Sequence, residues 1–154
     1  MSEIFFYQFN KVRNWSIGIA ENLTEEMANR QPDGFNNTMK WHLGHMVTEA
    51  EYFLFELSKQ PVQLPNRYNQ LFAPGTRPSE WKGEAPRLSE LILTLKSQLE
   101  RVKEISPELL NQPLEKPIHE FNSVLDAAAF SVLHESLHIG QIESMKRMLV
   151  VSAK

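Results

Sequence analysis

Apolar residues recur at three- and four-residue steps along four separate segments, and period-two alternation of β-branched residues occurs nowhere. That pattern selects amphipathic helices packed on one another and leaves no sheet to cover. From Ser2 to Asn22 the face is marked by Phe5, Phe9, Val12, Ser16 and Ile19, and Leu23 continues it. Thr24, Glu25 and Glu26 suggest one extra turn before Pro32. A second helix is predicted over residues 38–57, capped by Asn36 or Asn37, with Met39, Met46, Ala50, Phe53 and Leu57 on one side at about 100° per residue. A third, over 88–105, carries Leu88, Leu91, Leu95, Leu99 and Val102. A fourth is predicted over 123–149 with Asn122 as its cap. Pro107 ends the third helix, and Pro113 and Pro117 predict an irregular segment after it.

Residues 58–86 read as one long connection holding Pro61, Pro65, Pro74, Pro78 and Pro86 with Gly75 and Gly83. Loops this long inside a compact domain are usually functional or crossovers. Two neighbouring parallel helices of about 20 residues need a return path of about 30 Å, which this length supplies. Four helices with two long connections predict an all-α four-helix bundle, formed as a single domain over residues 1–154.

Composition narrows the function. The net charge is −3, so there is no basic excess to release counterions from nucleic acid. No apolar run approaches the ~18 residues of a membrane span. The opening MSEIFFYQFNKVRN has no basic region or cleavage site of a secretory signal, and a cytoplasmic location is expected. Cysteine is absent, which excludes disulfides, zinc ribbons and a thiol nucleophile of the chain's own. A metal site must then use histidine and carboxylate.

Four of the five histidines fall in two tight clusters. His134 and His138, in HESLH, are spaced i, i+4, which stacks two imidazoles on one helix face where both can bind one ion. On a helical wheel Ala127, Phe130, His138, Gln141, Met145 and Met148 fall within about 40° of His134. That stripe predicts an inward-facing pair, and burying two unpaired imidazoles is costly unless a metal takes their lone pairs. Core hydrogen bonds are the plainer alternative. In WHLGH, His42 and His45 are spaced i, i+3, and the wheel alone favours His42 as a third ligand. His119 lies just after Pro117 in the proline-bearing loop and reads as a solvated loop residue. HESLH also matches HExxH, in which Glu135 would be a protease's general base. No later histidine or suitably placed glutamate completes that motif, and Glu135 lies about 100° off the histidine stripe.

Three blocks, NNTMKWHLGHMVTEAEYF, LFAPGTRPSEW and FSVLHESLHIGQIESMKRML, resemble the DinB/YfiT-like superfamily of metal-binding helical proteins. The resemblance covers nearly the whole chain, and HESLHIGQI is its most specific part. It implies an up-down-down-up bundle with the long crossover between helices two and three. It also implies a divalent ion, zinc or nickel, held by one histidine of the second helix and two of the last. By motif position these are His45, His134 and His138, which leaves His42 as a supporting residue. Family members include transferases and isomerases that use a low-molecular-weight thiol, and many have no known activity.

Three neutral imidazoles leave an open position on a tetrahedral ion, the pattern of catalytic sites. Water there ionises near neutral pH, and a thiol binds as thiolate. The expectation is a small-molecule enzyme, a thiol S-transferase or hydrolase, whose thiol comes from outside the chain; a non-catalytic metal-binding or stress-response protein is the alternative. Glu49, one turn after His45, is the candidate base. Gln141, one turn after His138, is a candidate to orient a ligand. Phe72, Trp81, Arg67 and Arg77 of the long connection are candidates to cover the site. Leu125, Val132 and Ile139 repeat every seven residues opposite the histidines, which predicts a homodimer through that face.

Overall fold

The computed structural model describes residues 1–151, and the chain is mostly helical. The long helices are α1 (Ser2–Glu21), α3 (Met39–Glu51), α5 (Leu88–Lys103) and α7 (Val124–Val151). Shorter ones are α2 (Glu25–Asn29), α4 (Arg67–Phe72) and α6 (Pro107–Leu110). Helix α1 packs on α5 and α7, and α3 packs on the same two from the other side. Phe9, Met39, Leu43, Leu91, Leu95, Ile142 and Met145 fill the space between them. No helix among the described residues is long and apolar enough to cross a membrane.

Local chemistry moves several predicted boundaries. The cap of α3 is Thr38, not Asn36 or Asn37: its extended backbone lets the hydroxyl accept from Trp41 N–H. After Glu51 the helix widens into a π turn, Tyr52–Glu56, where the prediction ran straight on to Leu57. The cap of α7 is Ser123, not Asn122. Ser123 Oγ accepts from Asp126 N–H while Asp126 accepts from the N–H groups of Asn122 and Ser123, a reciprocal box.

The segment expected to be irregular contains a β-hairpin, β1 (Pro113–Ile118) paired antiparallel with β2 (Phe121–Ser123). Proline argues against central strands, but both strands of a two-stranded ribbon are edges, so Pro113 and Pro117 are tolerated. The turn is His119–Glu120, and both residues have positive φ, 50° and 71°. Asparagine and glycine favour that conformation; histidine and glutamate adopt it at a cost.

Helix α7 also faces differently from the wheel's prediction. Its buried stripe runs through Ala128, Ser131, Glu135, Ile142, Met145 and Leu149, and the two histidines lie at one edge, half-buried. The reason is Arg13 of α1, which is 0% exposed and meets Glu135, 2% exposed, through Nε and Nη2 at 2.8–3.1 Å. A glutamate that hydropathy assigns to solvent is thereby drawn inward. Leu125, Val132 and Ile139 lie on the other edge, half-buried against the core. The apolar face expected to meet a second subunit is thus partly packed on this chain's own core and partly exposed.

Candidate metal centre

The connection between α3 and α5 builds one wall of the site. Gly44 faces α4 so closely that a Cβ there would stand 2.3 Å from the Phe72 ring. Phe72 is buried, braced edge-on by Trp81, whose indole N–H donates to Leu71 O. The F-A-P-G-T turn that follows is closed by Thr76, whose hydroxyl lies 2.8 Å from the carbonyl oxygens of Leu71 and Ala73 and 2.9 Å from the Trp41 indole nitrogen. Gly75, at φ 85°, supplies a backbone conformation that other residues rarely adopt. Of the residues expected to cover the site, Phe72 and Trp81 thus act as bracing. Arg67 is exposed and paired with Glu90, and Arg77 is exposed.

This wall orients His45. Its Nδ1–H donates to the Phe72 carbonyl at 2.7 Å, and the Trp41 ring stacks on it at 4.6 Å and 13°. With Nδ1 carrying the proton, Nε2 keeps its lone pair. That atom is 3.1 Å from His134 Nε2, and His138 Nε2 is 3.1 Å from His134 Nε2 on the other side. One ligand atom from each of His45, His134 and His138 lies within 4.8 Å of the others, a group that could hold a metal ion. Nitrogens bound at about 2.0–2.1 Å to one tetrahedral ion stand about 3.3 Å apart, so the spacing suits the group.

His42 stands behind the trio. Its Nδ1 is 2.8 Å from His138 Nδ1, so one nitrogen donates and the other accepts. With His138 Nε2 turned to an ion, its Nδ1 carries the hydrogen and His42 accepts it, the usual support for a ligating imidazole. Burial pushes the imidazoles toward the neutral, ligating form. His42 and His134 are lowered to about 4 by desolvation, with His45 adding a smaller effect. His138 is lowered to about 2, by burial and then by His134, His45 and His42. Burial also lowers His45, opposed by its bond to Phe72.

The remaining candidates separate. Glu49 is half-buried with no hydrogen bond or ion pair among the described residues, and burial raises its carboxyl above the usual range. Gln141 is exposed and bonds to no histidine, because the buried stripe of α7 is turned away from it; the expectation that it orients a ligand is corrected. Glu135 gives both oxygens to Arg13, and Oε1 also accepts from Ser16 at 2.6 Å. It is a structural anion, not a free base. His119 is exposed, as expected, but sits at the hairpin turn, its ring 6.3 Å from that of Phe121. Phe121 in turn packs on Phe53 and Phe130, which flank His134.

The sequence profile of the DinB superfamily matches residues 8–142, a span that contains every histidine just described. The chain belongs to the DinB superfamily. A conserved protein of Enterococcus faecalis, known from its crystal structure, shares the fold with a TM-score of 0.66 at 15% identity, over 97% of each chain. Among curated proteins there is no match. In this DinB chain the turn that follows Phe72 helps hold His45 of W-H-L-G-H against His134 and His138 of H-E-x-x-H.

Proposed function

We propose that this DinB protein is a metal-dependent enzyme in which His45, His134 and His138 hold a divalent ion, zinc or nickel, and a small nucleophile is activated beside them. The convergence of three Nε2 atoms, with the Nδ1 atoms of His45 and His138 engaged by Phe72 O and His42, carries this reading. A bound divalent ion would supply Lewis acidity, lowering the pKa of water or a thiol at a fourth position. Phe72 O and His42 fix the tautomers of two ligands, and Trp41 keeps the His45 ring plane in place. Glu49 is the carboxylate available to take a proton. The nucleophile is a low-molecular-weight thiol, making the protein an S-transferase, or water, making it a hydrolase; the chain's lack of cysteine requires that a thiol come from outside.

The ring of contacts α1–α7–α3–α5 supports a four-helix bundle, and the length of the α3–α5 connection supports the up-down-down-up order. A cytoplasmic location and a homodimer belong to the same reading. Half-buried Leu125, Val132 and Ile139, with exposed Leu133 and Leu137 of the same helix, are apolar residues available to the dimer.

A screen of the metal-loaded protein tests the activity. Bacillithiol, mycothiol or glutathione would be offered with chlorodinitrobenzene or monochlorobimane, beside a panel of ester and amide substrates. The account expects a metal-dependent rate, abolished in His134→Ala. Metal binding with no rate on any substrate would favour a non-catalytic metal-binding protein.

A further inference from the structure

A cavity of about 710 Å³, within the range of small-molecule sites, opens between the end of α3 and the connection that follows it. Its wall includes Glu49, one turn beyond His45, and Ala73 and Pro74, which directly follow Phe72. Exposed His119 joins the wall from the hairpin, at a turn of two non-glycine residues with positive φ. Such unfavourable backbone persists where the surroundings require it, often at functional sites.

Tyr68 is 5% exposed as a whole and lines the cavity, and its hydroxyl, the solvent-reaching end of the side chain, forms no hydrogen bond to the described residues. Half-buried Glu49 and Tyr52 and exposed Glu56 also line the cavity without hydrogen-bond partners among the described residues, whereas Glu51, in the same wall, is occupied by Arg101 and Gln98. Among the described residues no lysine or arginine lines it. Unpaired carboxylates beside two tyrosine rings attract cations by charge and by the ring faces, and repel anions.

We propose that this cavity binds a small molecule bearing a protonated amine, with Glu49 as its counter-ion and the Tyr68 hydroxyl as a hydrogen-bond partner. The proposal rests on the preceding reading only in making that molecule the substrate presented to the metal centre, with Glu49 then holding the ammonium instead of taking a proton. It also assigns an anionic thiol, if one is used, to a position outside this cavity.

Calorimetric titration of the full chain at neutral pH and low salt tests it with three compounds of one frame: 2-phenylethylamine, 2-phenylethanol and phenylacetate. The amine should bind at least about tenfold more tightly than the alcohol, with phenylacetate weakest. Glu49→Gln should remove about that tenfold advantage, and Tyr68→Phe should weaken the amine while the thermal midpoint is kept. Similar binding of the three compounds, no binding of the amine, or an unchanged preference in a folded Glu49→Gln protein would overturn the proposal. His134→Ala separates the two readings. The cavity predicts that amine binding survives this substitution, whereas the metal reading predicts that the ion is lost.

Discussion

His45 Nδ1 donates to the carbonyl oxygen of Phe72 at 2.7 Å, and this bond turns the opposite nitrogen of the ring toward His134. The acceptor is backbone, so its position depends on how α4 lies against α3, and Gly44 sets that approach. Gly44→Ala gains about 1 kcal/mol of helix propensity but drives a methyl into the Phe72 ring. A net loss of about 1–2 kcal/mol is expected in urea unfolding, with weaker metal binding. Unchanged stability would show that α4 can move aside freely.

Arg13 and Glu135 form a buried pair at the centre of the structure, and Arg13 Nη1 extends it to Gln98 Oε1 at 2.8 Å. Removing one partner strands the other's charge away from water. Glu135→Ala is therefore expected to cost about 3–5 kcal/mol, measured by denaturant unfolding. The folded fraction should still bind metal, and the wild type should not digest casein. A stable Glu135→Ala protein that lost only activity would restore the general-base reading.

Much of the architecture was legible because core-facing residues repeat with helical period: the long helices lie within a few residues of their predicted positions. The hairpin was not legible, since prolines mark an edge strand and a loop alike, and the His119–Glu120 turn lacks the usual asparagine and glycine. The histidine pair of α7 was visible from its i, i+4 spacing. Its position at the edge of the buried stripe was not, because that depends on Arg13, 122 positions away, drawing Glu135 inward. Gln141 was misplaced for the same reason. His42 and His45 could not be ranked by periodicity, because what distinguishes them is the Phe72 carbonyl, contributed by a distant segment. The F-x-P-G-T block was a visible signal, but its role as a brace emerges only with the fold.

Burial sets a pH dependence. In the unfolded chain the imidazoles take up protons near 6.5, whereas folded His42 and His134 do so only near 4. Between those values the unfolded state binds more protons, so stability is full above about pH 6.5 and falls as the pH drops toward 4. His42, 7% exposed, contributes up to about 1.4 kcal/mol per pH unit in that window. Urea unfolding of chelator-treated protein from pH 7.5 to 4.5 should show this decline. A flat profile would mean that the imidazoles are not held neutral. Ligating nitrogens must also be unprotonated, so acid should release a bound ion.

His42 supports His138 without belonging to the trio. His42→Ala should retain the ion and weaken its affinity by about 10–100-fold, as judged by competition with a coloured chelator. Unchanged affinity would reduce the His42–His138 contact to packing.

The central claim is that His45, His134 and His138 together hold one divalent ion. Its most direct test is elemental analysis of protein purified without chelators, alongside folded His45→Ala, His134→Ala, His138→Ala and His42→Ala variants. The account predicts about one zinc or nickel per chain in the wild type, retained in His42→Ala and lost in each of the other three. A metal-free wild type, or loss confined to His42→Ala, would contradict it.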